Sequence, residues 1–484
     1  MREVVLGIDS STQSCTVEVR DAATGEWLAS GRAPHPTTHP PVSEQDPEAW
    51  WQALKLAISQ ALADLNVKVV ALAVAGQCHG LVALDEHWQP IRAAKLWNDT
   101  TSGKQAAELV AQFGQAWWAE QIGLVPSSAL TISKLRWLRD NEPESLDRLR
   151  HICLPHDWLT WRLCGEHVTD RSEASGTGFF SARSMAWRTD ILEEVIGPMP
   201  WAQMLPRVLG PDEPAGTILP EVASELGIDA GAVVGPGGGD QHLAAQGIGL
   251  AEGDVAYSLG TSGVVITTTP HPVIDPTGGI DGVANATGGY LPLVCSLNCT
   301  KVTDTMARLL NVDHSELGRL ALSVAADEER PAFAAFLDGE RSPRLPWATG
   351  LIGGITTSTT REQLALAAFE GVSMGLVSGE RRIATHGIPI TGRTILIGGG
   401  ARSEAYRQVI ADLVGRSVVT VDAPEATARG AAIQAAAVQS GQTVVDVTSA
   451  WAPAPTSQTE PRAQRSMTRY QQLADLQFEG PLYH

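Results

Sequence analysis

GDVAYSLGTSGVVITTTP (residues 253–270) repeats, in the second half of the 484-residue chain, the pattern with which the chain opens: a strand, a Gly/Ser/Thr turn and a second strand. In the opening copy EVVLGI (3–8) is a short apolar run, and CTVEVR (15–20) alternates apolar and polar residues as a half-buried strand does. Aligned on their threonines, GIDSST (7–12) lies over AYSLGT (256–261), so each half contributes one polar hairpin turn. Two such turns facing one cleft can grip a triphosphate from both sides, through backbone N–H groups and Thr hydroxyls. Either turn alone is equally well an ordinary structural hairpin; recurrence at corresponding positions is what gives the pair weight.

Around each hairpin, strands and helices alternate. SEQDPEAWWQALKLAISQALADL (43–65) offers Asp46 as N-cap, Pro47 at the first helical position and apolar residues at helical spacing through Leu62. VKVVALAVAG (67–76) reads as a buried central strand that delivers Gln77, Cys78 and His79 to its carboxyl end, where sites in α/β sheets collect. Residues 100–225 read as mainly helical with Pro-marked loops. Further on, a helix over 361–387, the strand TILIGGG (394–400), a helix from Glu404 to about 414, the strand SVVTV (417–421) and an Ala-rich helix near 426–439 give a βαβα order, hence an α/β fold. The tail from about 450 reads as a loop ending in a short docked helix.

Four constellations carry candidate chemistry. GPGGGDQ (235–241) places Asp240 where glycine-rich backbone can approach a ligand, and a carboxylate so placed can take the proton of an attacking hydroxyl; the same run also reads as a turn with an Asp helix cap. Asp9, on the first hairpin turn, can hold a Mg²⁺ that bridges nucleotide phosphates, with Thr12, Gly260 and Thr261 as phosphate donors. AGQCHG (75–80) and LWND (96–99) offer Gln77, His79, Asn98 and Asp99 as hydrogen-bonding groups for a polyhydroxy ligand, with Cys78 contributing shape; each residue taken singly also reads as a satisfied structural group. IGGGARS (397–403) runs a strand into three glycines and a helix, a turn that can accept adenine or phosphate against Gly399, Gly400 and Ser403. Ser403 stands where a dinucleotide-binding G-x-G-x-x-G run ends in glycine, and no G-x-x-x-x-G-K-[ST] run is present, which weighs against dehydrogenase and P-loop readings. Gly371-Val372-Ser373-Met374-Gly375 fits a hydrolase elbow, but it lies within a helical pattern rather than at a strand-to-helix turn.

The formal charge of −19 disfavours a nucleic-acid partner. Six cysteines include no C-x-x-C pair, so reduced and mostly buried thiols are expected. The opening MREVVLGIDSS lacks a signal-peptide pattern and no apolar run is long enough to cross a bilayer, so the expectation is a cytoplasmic protein without a membrane partner. An apolar helix surface in the C-terminal half leaves room for a homodimer.

GIDSSTQS, SEQDPEAWW, AGQCHG, LWND, SKLRWLRDNEP, GGGDQ, SLGTSG, FEGVSMGL and IGGGARS, in this order and at these separations, resemble the FGGY carbohydrate kinases across the chain to about residue 440. The resemblance implies two actin-like (ribonuclease-H-like) ATPase domains flanking a central cleft. Residues 1–248 would hold the sugar and the catalytic base, 249–445 would bind ATP, and 446–484 would form a tail. It implies ATP-dependent phosphorylation of a ketopentose, D-xylulose at its 5-hydroxyl, in pentose catabolism, with ribulose or gluconate as alternative acceptors. Asp240 then corresponds to the catalytic base, Asp9 to an activity-critical carboxylate associated with Mg²⁺, and Cys78-His79 to a sugar-contacting dipeptide. Thr12, Gly260 and Thr261 fall on the phosphate turns, and Gly399, Gly400 and Ser403 in the nucleotide loop. Three departures stand out: Cys78 where Met is frequent, Ser11 and Ser14 where glycines are frequent, and Gln241 where Asn is common.

Overall fold

The computed structural model describes residues 1–325 and 328–480. The opening hairpin is β1 (Arg2–Ser10) antiparallel to β2 (Ser14–Asp21), and β3 (Trp27–Pro34) extends it. Helix α1 (Pro47–Leu62) leads to β4 (Val67–Gly76), which lies parallel to β1. After a run of short helices, including α2 (Thr131–Asn141) and α3 (Arg171–Ser175), the sheet is completed by β5 (Gly216–Thr217) and β6 (Val233–Val234) in the order β5-β6-β4-β1-β2-β3. The two-residue β7 (Gly238–Gly239) also pairs with β4 and runs straight into helix α4 (Asp240–Gly247).

The second half is built on the same plan. Strands β8 (Val255–Leu259), β9 (Gly263–Thr267), β10 (Asp281–Ala284), β11 (Tyr290–Ser296), β12 (Thr394–Ile397), β13 (Val418–Val421) and β14 (Pro455–Thr459) form a sheet in the order β10-β11-β9-β8-β12-β13-β14. Its helices are α5 (Arg361–Thr385), α6 (Glu404–Val414), α7 (Ala426–Ser440) and α8 (Thr468–Leu476). In both sheets a hairpin opens the meander and a later strand lies parallel to its first member, so the sequence repeat marks the start of two like-built sheets.

Period-two alternation in β1 and β4 sets what covers each face of the first sheet. Val4, Leu6, Ile8, Leu72 and Val74 point into a core with Trp50, Trp51, Leu54 and Ile58 of α1. Helix α1 starts as its sequence dictates: the Asp46 carboxylate accepts the Glu48 N–H at 3.0 Å and Pro47 occupies the first turn. Each Leu or Ile buried on this face contributes about 1.5–3 kcal/mol. The opposite face carries small residues, Gly7, Ala71, Ala73 and Ala75, and against it lies the Ala-rich helix α7. A side chain on Gly7 would run into the backbone of Ala428, so this helix sits directly on the sheet. Asp9 falls on the same face.

Two expectations change. Residues 455–459, read as part of a loop, form strand β14 on the edge of the second sheet; PTSQT has no apolar alternation because an edge strand is held by backbone pairing with β13. The strand expected over 394–400 ends at Ile397, and Gly398 (φ 84°) turns the chain into a 3₁₀ turn over Gly399–Arg402. The Ala-rich helix follows β13 in sequence but packs on the first sheet and α4. The G-x-S-x-G run lies inside the 25-residue α5 with Ser373 buried, which removes the hydrolase reading. No helix among the described residues is long and apolar enough to cross a membrane.

Candidate active site

The carboxyl ends of three neighbouring strands place the first carboxylates. Asp9 on β1 is level with Ala75 on β4, and Ala75 is level with Gly238 on β7, so Asp9 and the start of α4 flank one strand at about 10 Å, two strand spacings. Asp9 Oδ1 is buried without a hydrogen-bond partner. Burial first, then the negative charges of Asp240 and Glu425, push its pKa up to about 8, against a small opposing effect of Arg32. Asp240, the first residue of α4, is also raised above the usual carboxylate range by burial, while bonds from Cys78 and the Gln241 N–H pull the other way. Asp240 raises the proton affinity of Asp9, and a buried carboxylate oxygen left without a partner beside a second carboxylate suits a cation.

Cys78 and His79 come off β4 beside Asp240. The Gln77 N–H bonds Ser10 O at 3.1 Å, which ties this turn to the first hairpin. The Cys78 thiol donates to Asp240 Oδ1 at 3.2 Å, so Cys78 touches the carboxylate as well as lending shape. Gly239 makes that approach feasible, since a Cβ there would lie 2.8 Å from Cys78 Sγ and 2.8 Å from His242 Nδ1. His79 adopts φ 63°, and buried partners hold it there: Glu173 Oε1 accepts its N–H at 2.6 Å, while Lys134 Nζ and Thr131 Oγ1 donate to its carbonyl at 2.9 and 3.1 Å. Burial keeps the His79 imidazole well below its ordinary pKa, so it is neutral and can donate or accept one bond at each nitrogen.

Lys134 and Glu173 are both fully buried and did not stand out in the sequence, although SKLRWL contains the first. Burial pulls the Lys134 pKa down to about 7 and pushes that of Glu173 up. Lys134→Met is expected to release the His79 carbonyl and raise the sugar KM about tenfold, the equivalent of ~1.4 kcal/mol, with the ATP KM unchanged; steady-state kinetics with each substrate varied check it.

The LWND residues divide. Asn98 keeps a buried Oδ1 without a partner and is free to meet a ligand. Asp99 does not face the cleft: it is fully buried, and its carboxylate accepts from Ser43 N at 2.8 Å, Thr101 N at 3.0 Å and Lys95 Nζ at 3.3 Å. Asp99 therefore braces its own loop, with its carboxylate engaged by Ser43, Thr101 and Lys95. Trp97, 47% exposed, donates its indole N–H to Thr12 Oγ1 at 2.9 Å and ties this loop to the first hairpin turn.

The second half carries a cavity of about 1040 Å³, and its walls include Gly260, Thr261, Gly399, Gly400 and Ser403 together with Tyr406. These five nominated residues, distant in sequence, thus line one space, because parallel pairing of β8 with β12 brings Ser258 level with Ile397 and sets both following turns side by side. Ser258 occupies the position on β8 that Asp9 occupies on β1, so the carboxylate is confined to the first half. Among the described residues no group of three or more His, Cys, Asp and Glu side chains is arranged to hold a metal ion. A Mg²⁺ carried by nucleotide phosphates needs only one or two protein carboxylates, and the unpartnered Asp9 Oδ1 fits that demand.

The model of the FGGY family of carbohydrate kinases matches twice, its N-terminal domain over residues 4–247 and its C-terminal domain over 255–438. The chain belongs to the FGGY family of carbohydrate kinases. A xylulose kinase of Streptomyces rubiginosus is 40% identical over 93% of this chain and 90% of its own. The crystal structure of a xylulose kinase from Bifidobacterium adolescentis superposes with a TM-score of 0.89 at 38% identity, covering 99% of this chain and 100% of that one. A gluconate kinase from Lactobacillus acidophilus also superposes with a TM-score of 0.89, at 22% identity over 99% of this chain and 97% of that one. Kinases named for different acceptors share this FGGY fold, so the acceptor is decided at the site.

Proposed function

We propose that the protein transfers the γ-phosphoryl group of ATP to the 5-hydroxyl of D-xylulose, with Asp240 as general base. The observation that carries this reading is the meeting of the Asp240 carboxylate with the Cys78-His79 turn on one side and Asp9 across β4 on the other. The sugar lies against His79 and Asn98, and its reacting hydroxyl hydrogen-bonds to Asp240. Asp240 takes the hydroxyl proton as the oxygen attacks the γ-phosphorus in line, the bond to the bridging oxygen breaks, and ADP leaves. Gly260 and Thr261 donate to phosphate oxygens, and Gly399, Gly400 and Ser403 cradle the rest of the nucleotide. Asp9 would hold Mg²⁺, whose charge neutralises the β- and γ-phosphate oxygens when bound. Gly400→Val is expected to raise the ATP KM about tenfold while sparing that of the sugar, because a Cβ at 400 would lie 2.8 Å from Leu259 Cβ in the nucleotide cavity wall.

A neutral polyol suits this cleft better than a sugar acid. Lys134 and Arg341, whose charges reach His79, are committed to backbone carbonyls and to Asp281 at 2.9 Å, and the Asp240 carboxyl beside the Cys78-His79 turn offers a carboxylate substrate no cationic partner. ADP release with D-xylulose, D-ribulose, L-ribulose, glycerol and gluconate tests the assignment. D-xylulose is expected to give the highest kcat/KM and gluconate the lowest; a lead for another acceptor overturns the substrate and keeps the base.

A further inference from the structure

Helix α7 leaves the second sheet after β13, yet packs on the first sheet and on α4. Glycines make this possible at three places: a Cβ on Gly7 would meet Ala428, one on Gly430 would meet Leu243, and one on Gly247 would meet Ala426, each time at backbone atoms. The contact surface of α7 is mostly alanine, which makes a long polar side chain on it conspicuous.

Gln434 is such a side chain and is fully buried. Its Oε1 accepts the Gly237 N–H at 2.8 Å and its Nε2 donates to the Gly237 carbonyl at 3.0 Å. One carboxamide thus pairs with both backbone polar groups of a single residue, as a neighbouring strand would. Gly237 has φ 80° and stands three residues before Asp240, and the chain between them is the two-residue strand β7. Gln246 of α4 makes a second bond across the same contact, Nε2 to Gly430 O at 3.0 Å.

We propose that Gln434 is a positioning residue for the catalytic base. Its carboxamide fixes the Gly237 backbone, and through the short rigid β7 it fixes where the Asp240 carboxylate points. Because α7 continues from strand β13, the base is tied to the half that lines the nucleotide cavity. The proposal rests on Asp240 being the base.

Gln434→Met keeps the length and removes both hydrogen bonds. It is expected to lower kcat about 10- to 100-fold, the effect of misplacing a reacting group by about 1 Å, with both KM values within about threefold of wild type. Gln434→Glu supplies a carboxyl that, when protonated, can both donate and accept. It is expected to exceed the Met variant in kcat, with that advantage falling as the acid ionises over the range of a buried Glu, about pH 5 to 9. A Met variant with wild-type kcat, or Met and Glu variants equally impaired at every pH, overturns the proposal. Should the Met variant fail to fold, the Glu variant against wild type across pH decides it, equal kcat loss at every pH counting against. Asp240→Asn run beside them separates the two readings: if it is fully active the base assignment falls and the proposal with it, whereas an inactive Asp240→Asn beside a wild-type Gln434→Met removes only the positioning role.

Discussion

Asp240→Asn is expected to lower kcat for D-xylulose about 10²- to 10⁴-fold, the range that loss of a general base produces, with the ATP KM within about threefold of wild type. The substitution is close to isosteric. Asn keeps an oxygen for the Cys78 thiol at the first position of α4, so the site retains its shape and loses only the proton acceptor. The nucleotide cavity lies in the other half, lined by Gly260, Thr261 and Gly399 among others, and does not include residue 240. Burial raises the Asp240 pKa, which makes it a stronger base than a free aspartate. Steady-state ADP release with titrated ATP and sugar checks this; an Asn variant within tenfold of wild-type kcat would show that another group takes the proton.

Asp9→Asn is expected to have two opposite effects. Phosphoryl transfer should drop by about 10²-fold or more, the scale on which removing one electrostatic support of the transition state acts. The ligand-free protein should become more stable. The Asp9 pKa moves from its ordinary 3.8 to about 8, so between those values the folded state holds more protons than the unfolded one. Stability is therefore lost as pH rises through that interval, and the penalty is fully present above about 8. Removing the carboxylate should accordingly raise Tm little near pH 4 and most above pH 8, at roughly 2–4 °C per kcal/mol recovered for domains of this size. Thermal unfolding of both proteins at several pH values without nucleotide checks it. A Tm difference that is flat with pH would mean that Asp9 is not held as an uncompensated buried carboxylate. A site that is costly when empty is what charge placed for a cation and phosphates entails.

Much of the frame was legible because local pattern and tertiary role agree. Asp46-Pro47 caps α1 as its residues specify, β4 is a buried apolar run, and both hairpins close at their Ser/Thr/Gly turns. The pairing of Gly260-Thr261 with Gly399-Gly400 followed from parallel strands. What escaped depended on partners far along the chain. Helix α7 is alanine on every side and has no amphipathic direction to say which sheet it covers. Strand β14 is held by backbone pairing alone. Asp99 has the same neighbours in sequence as Asn98, and only the fold reveals that Ser43 and Lys95 consume its carboxylate. Glu173 and Lys134 grip His79 from segments 94 and 55 residues away, and no local pattern announces a buried charge whose partner is a remote backbone group.

The measurement that tests the central claim most directly is ³¹P and ¹³C NMR of the product formed from D-xylulose and Mg·ATP. One phosphomonoester coupled to carbon 5 of the sugar, appearing in step with ADP, is the result expected from a 5-hydroxyl presented to Asp240. Inorganic phosphate in place of a sugar ester, or a phosphate on carbon 1, would contradict the account.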